Sequence, residues 1–258
     1  MNQFSSLTPI ISKKNKETKN GVYIVGICGG QGSGKTKLSD ALAKRVYGCR
    51  VIEEKHFFTG NKVSRKLSQG DEDLMGDYDC YPRERKVFLA EFNDPYSYDY
   101  SKISQILKDL KNNNKEVEYE KFIEKGEPQD KKMVKIDPKI HHVIIIEGYF
   151  LFRYEDVRNL LDLKIYVEID DDIRASRLLI NESTYLKNSL VGLKTFFKIY
   201  EKYIKPAYEQ YIAPTKQYAK MILTNYQVKE DGSIKNEKDD TLDMLVIHLK
   251  NISAQLQK

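Results

Sequence analysis

A glycine-rich motif near the start of the chain constrains its fold more than any other sequence feature. The motif has the form GxxxxGK[ST] and consists of Gly29, Gly30, Gln31, Gly32, Ser33, Gly34, Lys35 and Thr36. An apolar run, Val22 to Ile27, precedes it and is typical of a strand buried on both faces of a parallel sheet. Apolar residues at helical spacing follow over 38–46, and Gly48 can terminate that helix. The order strand, glycine loop and helix is the context that a phosphate-binding loop requires.

The residue types of the motif explain how it would hold a nucleotide. Glycines let the backbone N–H groups point inward at phosphate oxygens, and the helix N-terminus adds its dipole. Lys35 would neutralise the β- and γ-phosphates, and the Thr36 hydroxyl would face Mg²⁺. The motif therefore predicts nucleotide binding.

Four further apolar runs predict the rest of the sheet. They lie at 51–52, 143–146, 165–167 and 221–223, and helical stretches separate most of them. Strands that alternate with helices indicate a parallel α/β sheet. Another amphipathic helix is predicted near the C-terminus, packed back on the sheet.

The chain divides by composition into four parts. Residues 1–20 are predicted to form a flexible basic tail, and 21–228 the folded domain, with a polar insertion at about 60–91. A polar loop over 229–240 and a helix within 241–258 complete the chain.

Charge and cysteine content exclude several classes of function. The chain has 43 basic and 38 acidic residues, a net charge of +5, and about +3 of that lies in residues 1–20. The remaining body lacks the broad basic face of a nucleic-acid-binding protein, so a small-molecule partner is expected and nucleic acid is not. Three cysteines without CxxC spacing indicate a reducing compartment and a cytoplasmic location. The sequence contains no run of about 18 apolar residues, so it predicts no membrane span.

Two further groups of charged residues are candidates for the same site. Glu147 follows the run 143–146, and acids at the carboxyl ends of parallel strands commonly face a ligand or metal. A capping or salt-bridged glutamate is the alternative. Arg174 and Arg177 stand three residues apart on one helical face, where they can clamp phosphates or pair with the aspartates at 170–172 on the surface.

A GTP switch is disfavoured, because Asn61-Lys62 lacks the aspartate of NKxD.

These segments together resemble the phosphoribulokinase/uridine kinase family, most closely its uridine/cytidine kinase and nicotinamide riboside kinase branches. The resemblance covers about residues 20–225. It rests on the motif with its preceding strand and on several ordered segments: 51–52 with 57–58, 92–95, 145–152, 162–164, 174–177, 205–208 and 214–219.

The resemblance implies an ATP- and Mg²⁺-dependent kinase acting on a hydroxyl of a ribosyl compound. The implied fold is a P-loop three-layer α/β/α structure with a five-stranded parallel sheet and a helical lid, and homo-oligomers are implied too. Lys35, Arg174 and Arg177 would act on the phosphates, and Thr36 and Glu147 would organise Mg²⁺. Five residues would border the acceptor: Phe57, Phe58, Asn93, Asp94 and Tyr149.

One departure from the family concerns the acceptor's proton. Where the family has an aspartate that orients or deprotonates the acceptor hydroxyl, this chain has Lys55. Glu54, or Glu53, can reach the same hydroxyl with a one-residue shift. The segment that reads a pyrimidine is also absent, and 181–187 replaces an arginine-rich lid turn.

Three functions are compatible with these features. The first is a kinase of a nucleoside or nucleoside-like ribosyl compound. The second is a nucleotide-binding pseudoenzyme that regulates a partner, suggested by Lys55 and by the scarcity of arginines in the lid. The third is an ATPase coupled to a macromolecule.

Overall fold

The structure is a computed structural model that describes residues 21–59, 89, 91–112, 114–121, 132–182, 186, 190–224, 227–228, 234–235 and 240–257. The predicted tail over 1–20 lies outside these residues, as do most of the insertion over 60–91 and of the loop over 229–240. The predicted lid turn at 181–187 is only partly described.

Five parallel strands form the central sheet. In chain order they are β1 (Tyr23–Gly29), β2 (Cys49–Glu53), β5 (Val143–Gly148), β6 (Leu163–Glu168) and β7 (Met221–Thr224), and their order across the sheet is β2-β5-β1-β6-β7. Two short antiparallel pairs lie outside it: β3 (Val117–Glu120) with β4 (Met133–Ile136), and β8 (Gln227–Val228) with β9 (Ile234–Lys235).

Seven α-helical segments and several shorter turns accompany the strands in the described residues. The α-helices are α1 (Lys35–Arg45), α2 (Tyr100–Lys111), α3 (Glu155–Arg158), α4 (Asp171–Asn181), α5 (Leu190–Ile199), α6 (Lys205–Ala207) and α7 (Asp240–Leu256). Segments Tyr200–Ile204 and Tyr208–Ile212 are π-helical, and Glu54–Phe57, Pro95–Ser97 and Ala213–Tyr218 are 3-10 helices.

The sheet is buried on both faces, so β1 has no charged residue and β5 is apolar up to Glu147. Val25 and Ile27 of β1 pack in the layer that contains α1 and α7. Ile24 and Cys28 point the other way, into the layer that contains α2. All four are 0% exposed. The predicted three-layer α/β/α fold with a five-stranded parallel sheet is confirmed.

The topology brings three chain segments to one edge of the sheet. Strands β1, β2 and β5 run parallel, with Ile27 opposite Glu147 and Glu53 opposite Glu147 in register. Their carboxyl ends therefore lie side by side, and the loops that follow them meet there. Within the described residues, no helix is long and apolar enough to cross a membrane.

Candidate functional site

The glycine motif forms the turn between β1 and α1. Gly32 and Gly34 adopt φ values of 76° and 96°, in the left-handed region that side chains disfavour. Gln31 is half-buried beside them. The Ser33 hydroxyl is buried and has no hydrogen-bond partner among the described residues, which suits a ligand oxygen. The loop thus has the backbone of a phosphate-binding turn.

Lys35, the first residue of α1, is held inside this turn. Its side chain is buried, and its Nζ donates a hydrogen bond to the Gly30 carbonyl at 2.9 Å. The same Nζ lies 4.1 Å from the centre of the Tyr149 ring. Burial lowers the pKa of the Lys35 amine, and the nearby Glu147 carboxylate opposes that effect. An anionic ligand would stabilise the charged form of this lysine further.

Thr36 and Glu147 meet across the edge of the sheet. The Thr36 Oγ1 donates a hydrogen bond to Glu147 Oε1 at 2.7 Å. Glu147 is the second-to-last residue of the buried strand β5 and is 6% exposed. Burial raises the pKa of its carboxyl group, while Lys35 and the Thr36 hydrogen bond lower it. A hydroxyl and a carboxylate are hard oxygen donors of the kind that Mg²⁺ prefers, so this pair fits such an ion.

Both arginines of α4 contact the glycine loop. The Arg174 guanidinium is 1% exposed and lies over the Tyr208 ring, with 3.6 Å between Cζ and the ring centre. A Cβ on Gly30 would overlap this guanidinium. Arg177 donates a hydrogen bond from Nη1 to the Gly32 carbonyl at 3.2 Å. Arg174 also pairs with Asp171, yet its burial distinguishes it from a surface ion pair.

Glu53 and Glu54 lie on opposite faces of the sheet. Val51 and Glu53 alternate with Ile52 along β2, so Glu53 lies on the α1 face together with its register partner Glu147. Ile52 packs on the other face, and Glu54 contacts Tyr100 of α2 there. The two glutamates that the sequence leaves as alternatives therefore have different surroundings.

The surroundings of Glu54 are closed. Its side chain is 1% exposed, and its carboxylate accepts hydrogen bonds from the Tyr149 N–H at 2.6 Å and the Phe150 N–H at 3.1 Å. A third hydrogen bond comes from the Tyr100 hydroxyl. Burial raises the pKa of Glu54 to about 7, although these hydrogen bonds act to lower it. Of the two glutamates, only Glu53 therefore has a carboxylate that is partly exposed.

Glu53 is partly open to solvent and has two basic neighbours. Its side chain is 18% exposed, and its Oε2 lies 2.6 Å from Lys55 Nζ. His56 Nε2 lies 3.6 Å from the other oxygen, and burial lowers the pKa of that histidine to about 4, so it is neutral at physiological pH. Lys55, which the resemblance aligns with the family's aspartate, is an ion-pair partner of Glu53.

An aromatic cluster lies between Tyr149 and the segment after β2. The Phe92 ring centre is 5.6 Å from those of Phe58 and Tyr149. Phe58 is half-buried, whereas Phe57 is buried in the core with its ring centre 5.1 Å from that of Tyr119. Tyr149 thus borders both this cluster and Lys35, while Phe57 packs away from it.

Asn93 and Asp94 make local backbone contacts. The Asn93 amide donates to the Leu89 carbonyl at 2.7 Å. The Asp94 carboxylate accepts from the Tyr96 N–H at 3.0 Å and caps the Pro95–Ser97 turn. Both residues follow Phe92 of the aromatic cluster directly in the chain. Their contact with an acceptor stays a prediction.

Sequence reasoning missed two residues of this site. Tyr100 bonds Glu54, and Tyr208 covers Arg174. Neither position has a local signal for these contacts, since a tyrosine at a helix start or in a helix is ordinary. Only the fold brings Tyr100 to Glu54, 46 residues away, and Tyr208 to Arg174, more than thirty residues away.

Comparison with known proteins gives consistent matches. Residues 24–230 match the family described as "Phosphoribulokinase / Uridine kinase family". Uridine-cytidine kinase B of Dictyostelium discoideum is 30% identical over 201 residues, which cover 78% of this chain and 74% of the relative. A uridine kinase of Ligilactobacillus salivarius is 29% identical over 95% of this chain and 99% of its own. Phosphoribulokinase from Rhodobacter spheroides shares the fold, with a TM-score of 0.54 at 13% identity over 80% of this chain and 70% of that one.

Proposed function

The chain belongs to the phosphoribulokinase/uridine kinase family, and from that premise we propose that it transfers the γ-phosphate of ATP to a hydroxyl of a nucleoside or nucleoside-like ribosyl compound. The observation that carries this proposal is the meeting of Lys35, Thr36 and Glu147 at the carboxyl edge of the sheet. A phosphotransferase with a hydroxyl acceptor needs phosphate binding, charge neutralisation and a place for the acceptor next to them.

The ATP side of the site is formed by the glycine loop. Backbone N–H groups of 29–36 would bind the phosphates, and Lys35, already inside the turn, would neutralise their charge. Thr36 and Glu147 would hold Mg²⁺, and the ion would neutralise charge that develops on the phosphates. Arg174 and Arg177 would stabilise the loop and the transferring phosphoryl group. The Arg174 guanidinium lies against Gly30, and Arg177 donates a hydrogen bond to the Gly32 carbonyl.

The acceptor side is formed by the segment after β2 and the turn after β5. Tyr149 and Phe58 border it through the aromatic cluster. The acceptor oxygen would attack the γ-phosphorus while the bond to ADP breaks, and the hydroxyl proton would pass to Glu53. Lys55 orients the Glu53 carboxylate by its 2.6 Å ion pair. The regulator interpretation depends on Lys55 and on the scarcity of arginines in the lid, and this pairing gives Lys55 a role within a kinase.

The direct test is ADP release with ATP and Mg²⁺ over a panel of uridine, cytidine, nicotinamide riboside, other ribosyl compounds and pantothenate. One acceptor should give turnover, a product heavier by one phosphoryl group and no turnover with Lys35→Ala. Silence over the whole panel, with ATP still bound, would contradict the proposal and favour a regulator. ATP hydrolysis that rises only with nucleic acid or protein would favour the coupled ATPase.

Glu53→Gln tests the proton acceptor separately. A lost general base typically costs about 10²–10⁴ in rate, so kcat should fall within that range while the KM for ATP changes little. Glu118→Gln is a matched control, because Glu118 is an exposed residue of β3 and pairs with Lys135 on β4. Unchanged kcat in Glu53→Gln would exclude Glu53 from this role.

A further inference from the structure

The carboxylate of Glu54 occupies a position between the two halves of the site. It belongs to the short helix Glu54–Phe57, which leads into the acceptor side. It accepts hydrogen bonds, however, from the first two N–H groups after Gly148, in the turn that leads away from β5. One buried side chain thus joins segments 95 residues apart in the sequence.

The turn that Glu54 holds carries two groups of the ATP side. Glu147 lies at its start and accepts the Thr36 hydrogen bond. Tyr149 lies within it, and its ring covers Lys35 Nζ at 4.1 Å. If the backbone of 148–150 moved, the carboxylate and the ring would move with it. The orientation of both groups therefore depends on the hydrogen bonds that Glu54 accepts.

The close fit around Gly148 gives independent support. A Cβ on this residue would lie 2.5 Å from the Glu54 carboxyl carbon and 2.6 Å from its Oε2. Real Cβ contacts are never that short, so the carboxylate can reach both N–H groups only because residue 148 has no side chain. The buried Glu54 carboxylate therefore requires a glycine at position 148.

We propose that Glu54 is a positioning residue for the ATP site, acting through the Glu147–Tyr149 turn rather than by contact with substrate. This inference rests on the proposed function, because it assumes that MgATP binds at Glu147. It differs from the role of Glu53, whose side chain faces the opposite side of the sheet.

The test is the affinity for MgATP, measured by titration calorimetry without any acceptor. Glu54→Gln should weaken MgATP binding on the order of 10-fold, similar to the loss of a group that orients a metal ligand without touching the metal. A glutamine cannot accept from all three donors, because its amide nitrogen is itself a donor. Gly148→Ala should give a similar loss by displacing the carboxylate. Tyr100→Phe, which keeps both backbone hydrogen bonds, should change the affinity less than about 3-fold.

A double-mutant cycle separates positioning from general destabilisation. If Glu54 acts through the Glu147–Tyr149 turn, then Glu54→Gln should cost clearly less than about 10-fold when Glu147→Gln is already present. Independent, multiplying losses in the cycle would overturn the proposal, as would unchanged MgATP affinity in both Glu54→Gln and Gly148→Ala. Thermal unfolding confirms that each variant is folded at the temperature of the titration. If Glu54→Gln does not fold, Glu54→Asp, which shortens the reach by one methylene, provides the same contrast.

The outcome also separates this inference from the proposed function. Wild-type protein that binds no MgATP would contradict the proposed function itself. Wild-type binding with unaltered variants would contradict only the role of Glu54.

Discussion

Replacing Glu54 with glutamine should remove a pH-dependent loss of stability. Burial raises the pKa of this carboxyl group from the usual 4.5 to about 7. Between these values the folded protein keeps a proton that the unfolded chain has released. The stability that this proton contributes is fully present below pH 4.5 and is lost as the pH rises through about 7.

The size of the effect follows from the two pKa values. Each pKa unit corresponds to about 1.4 kcal/mol, so the difference between 4.5 and about 7 corresponds to about 3 kcal/mol in the free energy of unfolding. The carboxyl group is fully buried, and solvent screening does not reduce this figure much. Glutamine does not titrate, so the variant lacks the contribution at every pH.

The assay is urea unfolding of the nucleotide-free wild-type protein and Glu54→Gln from about pH 4.5 to about pH 8.5. The stability of wild type minus that of the variant should fall by about 3 kcal/mol over this range. Burial lowers the pKa of His56 to about 4, so its contribution to stability has the opposite pH dependence. Both proteins contain His56, and its contribution cancels in the difference between them. Parallel stability curves for the two proteins would refute the reasoning, and Glu118→Gln should give such parallel curves against wild type.

Four further substitutions test the site and the core. Lys35→Ala should abolish detectable phosphoryl transfer, measured as ADP release, because the buried ammonium is the group that we propose neutralises the phosphates. Glu147→Gln should weaken MgATP binding about 10- to 100-fold but ATP binding in EDTA far less, as read by calorimetry. Gly30→Ala should lower the free energy of unfolding by about 1–3 kcal/mol, since its Cβ would overlap Arg174; equal urea midpoints would contradict this overlap. Leu107→Ala, at a fully buried position of α2, should cost about 2–5 kcal/mol in the same assay.

The sequence alone determined the frame of the site. The glycine motif between an apolar run and a helical period fixed the order strand, loop and helix, because local conformational preferences and phosphate chemistry act within a few residues. Continuous apolar runs likewise indicated strands with two buried faces, and β1 and β5 have this burial. The position of Glu147 at a strand end followed from the same pattern.

Only the tertiary structure decided which groups surround each charged side chain. Glu53 and Glu54 are chemically equivalent neighbours in the sequence, and the β2 alternation places them on opposite faces once its pairing with β5 is known. Arg174 shares a helical face with Arg177, yet its burial depends on Tyr208 and Gly30, which are distant in the chain. Such contacts arise from packing between segments far apart in sequence, and no local pattern encodes which polar group a buried carboxylate or guanidinium will meet.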